Sequence, residues 1–202
     1  MKITLPISLS AVILSPAFAQ SAIVISEIDF NNNVVEIANT GTTSVDLSNY
    51  WFCNFPSYTQ ASNSAFSIAD SSTATSLTLG AGDVLVLNIT DNFAANNGEF
   101  GLYSTNALGF GNSTAIVDYL SWGADSTRDS VAAAAGIWDS GTFIDTSSLT
   151  AGQTIQLNEN SVGNGIGDYS IGSANFGVVP EPSTGLLALL GSLSLISRRK
   201  RS

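Results

Sequence analysis

Short apolar runs, broken by Gly, Asn and Ser, recur through the middle of the chain, and most alternate with a period of two. Residues 22–30 (AIVISEIDF) are rich in β-branched and aromatic side chains and predict a strand. Asn31, Asn32 and Asn33 follow as turn residues, because Asn tolerates left-handed backbone and bonds its own main chain. Residues 34–39 (VVEIAN) return as a second strand, so the two predict a hairpin. Residues 45–47 (VDL) and 50–55 (YWFCNF) predict two more short strands. Residues 56–76 are dominated by Ser, Ala, Thr and Asn, and read as a long surface loop with one short strand at 66–68.

Beyond that loop, residues 77–79 (LTL) and 84–89 (VLVLNI) are joined by a tight turn, Gly80-Ala81-Gly82-Asp83. The nearly unbroken apolar character of VLVLNI predicts a central strand covered on both faces. Residues 100–103 and 115–122 (AIVDYLSW) predict further strands. In the latter, alternation puts Ile116, Asp118, Leu120 and Trp122 on one face and Val117 and Tyr119 on the other. Four alanines within 130–136 predict one short helix, and 154–157 (TIQL) is the last expected strand. The Gly- and Asn-rich stretch 158–177 reads as loop and linker. Many short strands and almost no helix predict an all-β fold, a β-sandwich.

The two ends have a different character. Lys2 supplies a positive start, residues 3–14 are mostly apolar, and Pro16 breaks the run before Ala17-Phe18-Ala19. Small residues at Ala17 and Ala19 predict cleavage by signal peptidase before Gln20, so residues 1–19 are expected to be a signal peptide. At the other end stand Val179-Pro180-Glu181-Pro182-Ser183, an uncharged run 185–196, and the basic block Arg198-Arg199-Lys200-Arg201. Each proline fixes φ and lacks an N–H, so this segment predicts an extended turn that a processing enzyme can grip. As a helix, residues 183–197 span about 22 Å against about 30 Å of bilayer hydrocarbon. Snorkelling arginines make up the difference, and the positive-inside rule keeps the basic block cytoplasmic, as the anchor of a C-terminal transmembrane helix. The three parts in this order resemble the PEP-CTERM sorting signal of Gram-negative, exopolysaccharide-producing bacteria, which exosortase reads. The resemblance implies cleavage near the Pro-Glu-Pro turn. It also implies an inner-membrane anchor in transit, then delivery to the cell surface or extracellular matrix. The expected organisation is therefore 1–19 signal peptide, 20–177 β domain and 178–202 sorting signal.

Composition narrows the function of the domain between. Five of the six basic residues lie in the two end segments. The domain holds only Arg128 against fifteen of the sixteen acids, a net charge of −14. Nucleic acid, whose binding rests on basic contacts to phosphate, is excluded as a partner. There is no histidine, which removes Ser-His-Asp catalysis and His-type zinc sites. Cys53 stands alone in an aromatic flank and is expected as a buried, inert thiol.

The domain carries a second resemblance. Its motifs, in order, are Ile25-Ser26-Glu27-Ile28, Val35-Glu36-Ile37-Ala38-Asn39-Thr40-Gly41 and Val45-Asp46-Leu47-Ser48-Asn49-Tyr50. Leu79-Gly80-Ala81-Gly82-Asp83-Val84-Leu85-Val86-Leu87, Gly101-Leu102-Tyr103, Val117-Asp118-Tyr119-Leu120-Ser121-Trp122-Gly123 and Thr154-Ile155-Gln156-Leu157 complete the series. The series resembles the lamin tail domain, an immunoglobulin-like β-sandwich that also occurs in secreted bacterial proteins. Residues 56–76 and 124–148 stand outside it as insertions. The resemblance implies a non-catalytic module, with exosortase and signal peptidase as processing enzymes and extracellular polysaccharide or surface proteins as partners.

The acids leave two alternatives open. Glu27, Glu36 and Asp118 fall within predicted strands. They are expected either on an exposed strand face or as acceptors of backbone N–H bonds. A secreted hydrolase acting on polysaccharide through carboxylates is the alternative, since paired carboxylates cleave glycosides. A calcium-binding adhesion module is the other, because Asp29, Asn31 and Asn33 alternate oxygen ligands in a turn, as do Asn158, Glu159, Asn160 and Asp168. Turn chemistry explains both stretches without a metal. No catalytic residue and no cofactor are assigned from the sequence.

Overall fold

The computed structural model describes residues 23–54, 57–90, 92–124, 126–159 and 161–178. The signal-peptide residues Ala17, Ala19 and Gln20, and the sorting segment from Val179 onward, lie outside them. The first half of the chain forms β1 (Ile23–Asp29), β2 (Val34–Asn39), β3 (Val45–Asp46), β4 (Trp51–Asn54), β5 (Ser57–Gln60) and β6 (Phe66–Ile68). The second half adds β7 (Thr78–Leu79), β8 (Val84–Ile89), β9 (Gly98–Tyr103), β10 (Ile116–Trp122), the helix α1 (Asp129–Ala134), β11 (Gln153–Leu157) and β12 (Tyr169–Ser173).

The strands form a six-stranded sheet, ordered β12-β11-β1-β2-β8-β6, and a four-stranded sheet, ordered β10-β9-β4-β5, with a small β3-β7 pair beside them. The fold is all-β, with two sandwich-like sheets. The β1–β2 hairpin turns at Asn33, whose φ of 55° is the left-handed geometry that Asn tolerates better than most residues. Ile37 pairs with Leu85 and Val35 with Leu87, so these apolar side chains share one face of the larger sheet. Phe52, Phe100 and Trp122 come from the smaller sheet, and the two sets meet in one core. Phe30 lies 4.9 Å from Trp122 and Phe52 lies 5.0 Å from Phe66, centroid to centroid, which closes the space between the sheets. Each fully buried side chain of this size contributes about 1.5–3 kcal/mol.

Several expectations need correction. The stretch 56–76 is not a loop with one strand: β5 pairs with β4 through all four of its residues. Its sequence SYTQ has no apolar alternation, so only its neighbour makes it a strand. Likewise β11 is not the last strand. β12, within the expected linker, pairs with β11 from Leu157↔Tyr169 to Gln153↔Ser173. The Gly80–Asp83 turn is present, with the Asp83 N–H donating to the Gly80 carbonyl at 3.1 Å. The strands it joins do not pair with each other, since β7 joins β3 and β8 joins β2. A register shift between Ile116 and Asp118 leaves Ile116 opposite Tyr103, while Tyr119 lies opposite Gly101. Ile116 therefore shares a face with Tyr119, not with Asp118, because a bulge reverses the alternation at that point. The expected short helix is α1, and VLVLNI is an interior strand with Val84 to Leu87 all buried. Among the described residues, no helix is long and apolar enough to cross a membrane.

Candidate functional site: buried carboxylates that hold backbone amides

A carboxylate removed from water needs donors, and in this domain Arg128 is the one cationic side chain. Glu27, Asp29, Glu36, Glu99 and Asp118 are nevertheless all buried. Burial rules out the exposed strand face expected for Glu27, Glu36 and Asp118. The other expectation describes them: each accepts backbone N–H bonds.

Asp118 joins the two sheets. β1 pairs with β11 only at Glu27 and Ile28, so the main chain at Ile25 runs past its neighbour. The Ile25 N–H donates to Asp118 Oδ2 at 2.5 Å, and the Tyr169 hydroxyl donates to the Ile25 carbonyl at 3.1 Å. Two side chains thus stand in for the missing strand partner. Burial pushes the Asp118 carboxyl up to about 8, against the opposing pull of the Ile25 and Tyr119 N–H groups. At neutral pH it is mostly a neutral acid. The same burial raises the Tyr169 hydroxyl well above its ordinary value.

Glu27 and Glu36 are directly opposite each other on β1 and β2, brought to the sheet's outer face by a register shift at Ser26. Thr154 donates its hydroxyl to Glu27 Oε1 at 2.6 Å, and Gln156 and the Asn175 N–H add bonds of 3.2 and 3.1 Å. Ser26 donates to Glu36 Oε1 at 2.6 Å, and the Gly177 N–H donates to Oε2 at 2.6 Å. Burial pushes Glu36 up to about 7, with the neighbouring Glu27 adding to it, and burial raises Glu27 as well. The donors Asn175 and Gly177 belong to residues 174–178, which leave β12 and cross the outer face of the larger sheet as a strap.

Glu99 serves the segment that leads into α1 in the same way. Its Oε2 accepts the Tyr119 hydroxyl at 2.8 Å and the N–H groups of Thr127 and Arg128 at 2.7 and 2.8 Å. This ties the chain just before α1 to β9. Arg128 itself donates Nε–H to the Tyr58 hydroxyl at 2.6 Å, and its guanidinium carbon lies 5.6 Å from the Tyr58 ring centre. Phe110 stacks on the Tyr58 ring at 4.0 Å and meets Trp51 at 5.7 Å. Beneath this half-exposed aromatic patch, Cys53 is fully buried, and burial pushes its thiol up to about 12. The burial expected from its aromatic flank is present.

The oxygen-rich turns are also engaged. Asp29 Oδ1 accepts the N–H groups of Asn31 and Asn32 at 2.7 and 3.1 Å, and its Oδ2 accepts the Asn32 amide at 2.7 Å. Asn33 turns away to bond Asn92 and the Phe93 N–H, while Asn31 is exposed. The Asp29 and Asn33 side chains thus serve the backbone and side chains of their own turn and of residues 92–93. Asp168 Oδ2 accepts the Asn164 N–H at 2.9 Å, and the Asn158 amide bonds the Gly167 carbonyl; Asn160 lies outside the described residues. Among those residues, no group of three or more Cys, Asp or Glu side chains is placed to hold a metal ion. Sequence reasoning missed the role of Glu99. The available signal was the ratio of fifteen acids to one base, which obliges any buried acid to find N–H and O–H donors.

Neither a known protein family nor a curated protein sequence matches the chain. Among solved structures it is similar to the archaellum periplasmic stator protein complex FlaF and FlaG from Sulfolobus acidocaldarius. The identity is 16% and the TM-score 0.29, over 48% of this chain and 89% of that one. A likeness at that score carries no argument about fold or function.

Proposed function

We propose that this chain is an exported, non-enzymatic protein of the cell surface or extracellular matrix of a Gram-negative bacterium, sorted and cleaved by exosortase, with a binding or structural role in exopolysaccharide and biofilm. The observation that carries the reading is the ordered C-terminal series of Val179-Pro180-Glu181-Pro182-Ser183, the uncharged run 185–196 and Arg198-Arg199-Lys200-Arg201. A leader ending at Ala17-Phe18-Ala19 points the same way. The finer fold is read as an immunoglobulin-like sandwich of the lamin tail type, on the series of strand motifs.

The non-catalytic part of the proposal rests on how the buried acids are used. General acid or base work needs a carboxyl facing a substrate. Asp118, Glu36 and Glu99 instead face backbone amides of their own chain. Recognition is assigned to exposed loops, because connecting segments carry binding on a rigid sheet scaffold, and to the half-exposed aromatic patch of Trp51, Tyr58 and Phe110.

The test is mass spectrometry of the protein recovered from its native host, with and without the sorting enzyme. The expected mature form starts at Gln20 and ends near Pro180, outside the cytoplasm. Material with Met1 and Ser202 both intact in a soluble intracellular extract would refute the proposal. Deleting the gene is expected to weaken biofilm cohesion. Release of product from the host's exopolysaccharide by the purified protein, abolished by one Asp or Glu substitution, would establish the hydrolase alternative instead.

A further inference from the structure

The last described residues before the sorting segment are held down. Ala174 donates its N–H to the Gly152 carbonyl at 3.4 Å, Asn175 to Glu27 at 3.1 Å and Gly177 to Glu36 at 2.6 Å. These contacts run from Gly152, just before β11, across β1 to β2. At Gly177 the backbone has a φ of +84°, and a Cβ there would lie 2.5 Å from the Ser71 carbonyl. The strap is thus fitted closely against the segment after β6, in a backbone region and at a distance that only glycine meets without cost.

Gly177 stands three residues before Pro180, and three extended residues reach only about 10 Å. Strand addition is a common way for a protein to grip an extended peptide, and it uses the peptide's main-chain hydrogen bonds. In this protein the described residues nearest the Pro-Glu-Pro turn are 175–178, and the N–H groups of Asn175 and Gly177 are already bonded to Glu27 and Glu36. A donor held there is not free for a second acceptor.

Building on the sorting reading, we propose that residues 174–178 form an autoinhibitory strap: Glu27 and Glu36 sequester the main chain that the sorting peptidase must grip, so cleavage proceeds only from the strap-open form. The cleavage rate then follows the population of that form. Buried side-chain oxygens suit this role, because a strap N–H closed off from water needs an acceptor on the sheet beneath it. They also keep the strap specific to this face of the sheet.

The test uses the full chain and three variants. Glu36→Ala removes the Gly177 acceptor. Gly177→Ala lifts the strap without touching either carboxyl, and lies beyond the last strand. Glu36→Gln keeps a side-chain oxygen for the Gly177 N–H and serves as the rescue. Hydrogen exchange on detergent-solubilised protein is expected to show the Asn175 and Gly177 amides exchanging about tenfold faster in the first two variants, the loss of one buried hydrogen bond. Glu36→Gln is expected to stay near wild type, and the β1, β2 and β8 amides are expected to be unchanged in all three, which reports that the fold is intact. In cells containing the sorting enzyme, pulse–chase should then show the first two variants losing the C-terminal segment several-fold faster, in step with the exchange. Opened straps with unchanged processing overturn the autoinhibition and leave the sorting reading standing. Wild-type amides at 175 and 177 that exchange as fast as free chain overturn it directly. A wild-type chain never shortened in those cells overturns the sorting reading, and the strap's regulatory role with it.

Discussion

Asp118 allows a sharp test of the buried-acid account, because its proton links the fold to pH. Its carboxyl titrates at about 8 in the folded protein against 3.8 for an unperturbed Asp. Between those values the folded state holds the proton and the unfolded state does not. Stability from this group is therefore full below about pH 4 and is lost as pH rises through 8, by about 1.4 kcal/mol per pH unit. From pH 5 to pH 7 that amounts to roughly 3 kcal/mol from Asp118 alone. Glu36, raised from 4.5 to about 7, acts in the same direction over much of the same window. Asp46 and Asp145, both exposed and both lowered by the N–H groups of Ser48 and Ser147, are ionised in both states above pH 5 and do not contribute there. The chain should thus lose stability on going from pH 5 to pH 7, opposite to the usual acid denaturation of proteins whose carboxylates are paired with cations.

Asp118→Asn isolates the effect. The Asn oxygen still accepts the Ile25 N–H, but the titration is gone. Urea unfolding at pH 5, 6, 7 and 8 in 0.15 M salt, which screens the general repulsion of an acidic surface, is expected to give a smaller slope for the variant. The wild-type minus variant difference should change by about 3 kcal/mol between pH 5 and pH 7, equivalent to roughly 6–12 °C in Tm. A difference that stays within about 0.5 kcal/mol, or a wild type that grows more stable from pH 5 to pH 8, would refute the reasoning about a buried neutral acid.

Two further outcomes are expected. Gly123 has a φ of +86°, and a Cβ there would run into the Asn96 carbonyl, so Gly123→Ala should cost about 3 kcal/mol or more by urea unfolding; a loss under about 1 kcal/mol would mean that the neighbouring loop shifts freely. Cys53 should resist a thiol reagent at pH 8 in the native protein and react at once in denaturant, given its full burial and raised thiol; rapid native labelling would place it at the surface.

What local sequence determined here was set by short-range physics. The alternation in AIVISEIDF and VVEIAN, with the asparagines between, was enough for β1, β2 and their turn, because side-chain periodicity and turn geometry act within a few residues. The alanines of α1, the apolar run of β8 and the aromatic flank that buries Cys53 were equally local signals. The excess of acid over base could be read directly. Tertiary structure decided the rest. β5 and β12 are strands only because β4 and β11 supply their partners. The registers that turn Glu27 outward and Ile116 away from Asp118 depend on bulges that alternation does not announce. The acceptors of greatest consequence join residues far apart in the chain: Asp118 to Ile25 across 93 positions, Glu36 to Gly177 across 141 and Glu27 to Asn175 across 148. A carboxylate without a cation must find its donors wherever the packed sheets put unpaired N–H groups, and that is fixed only when the sheets close on one another.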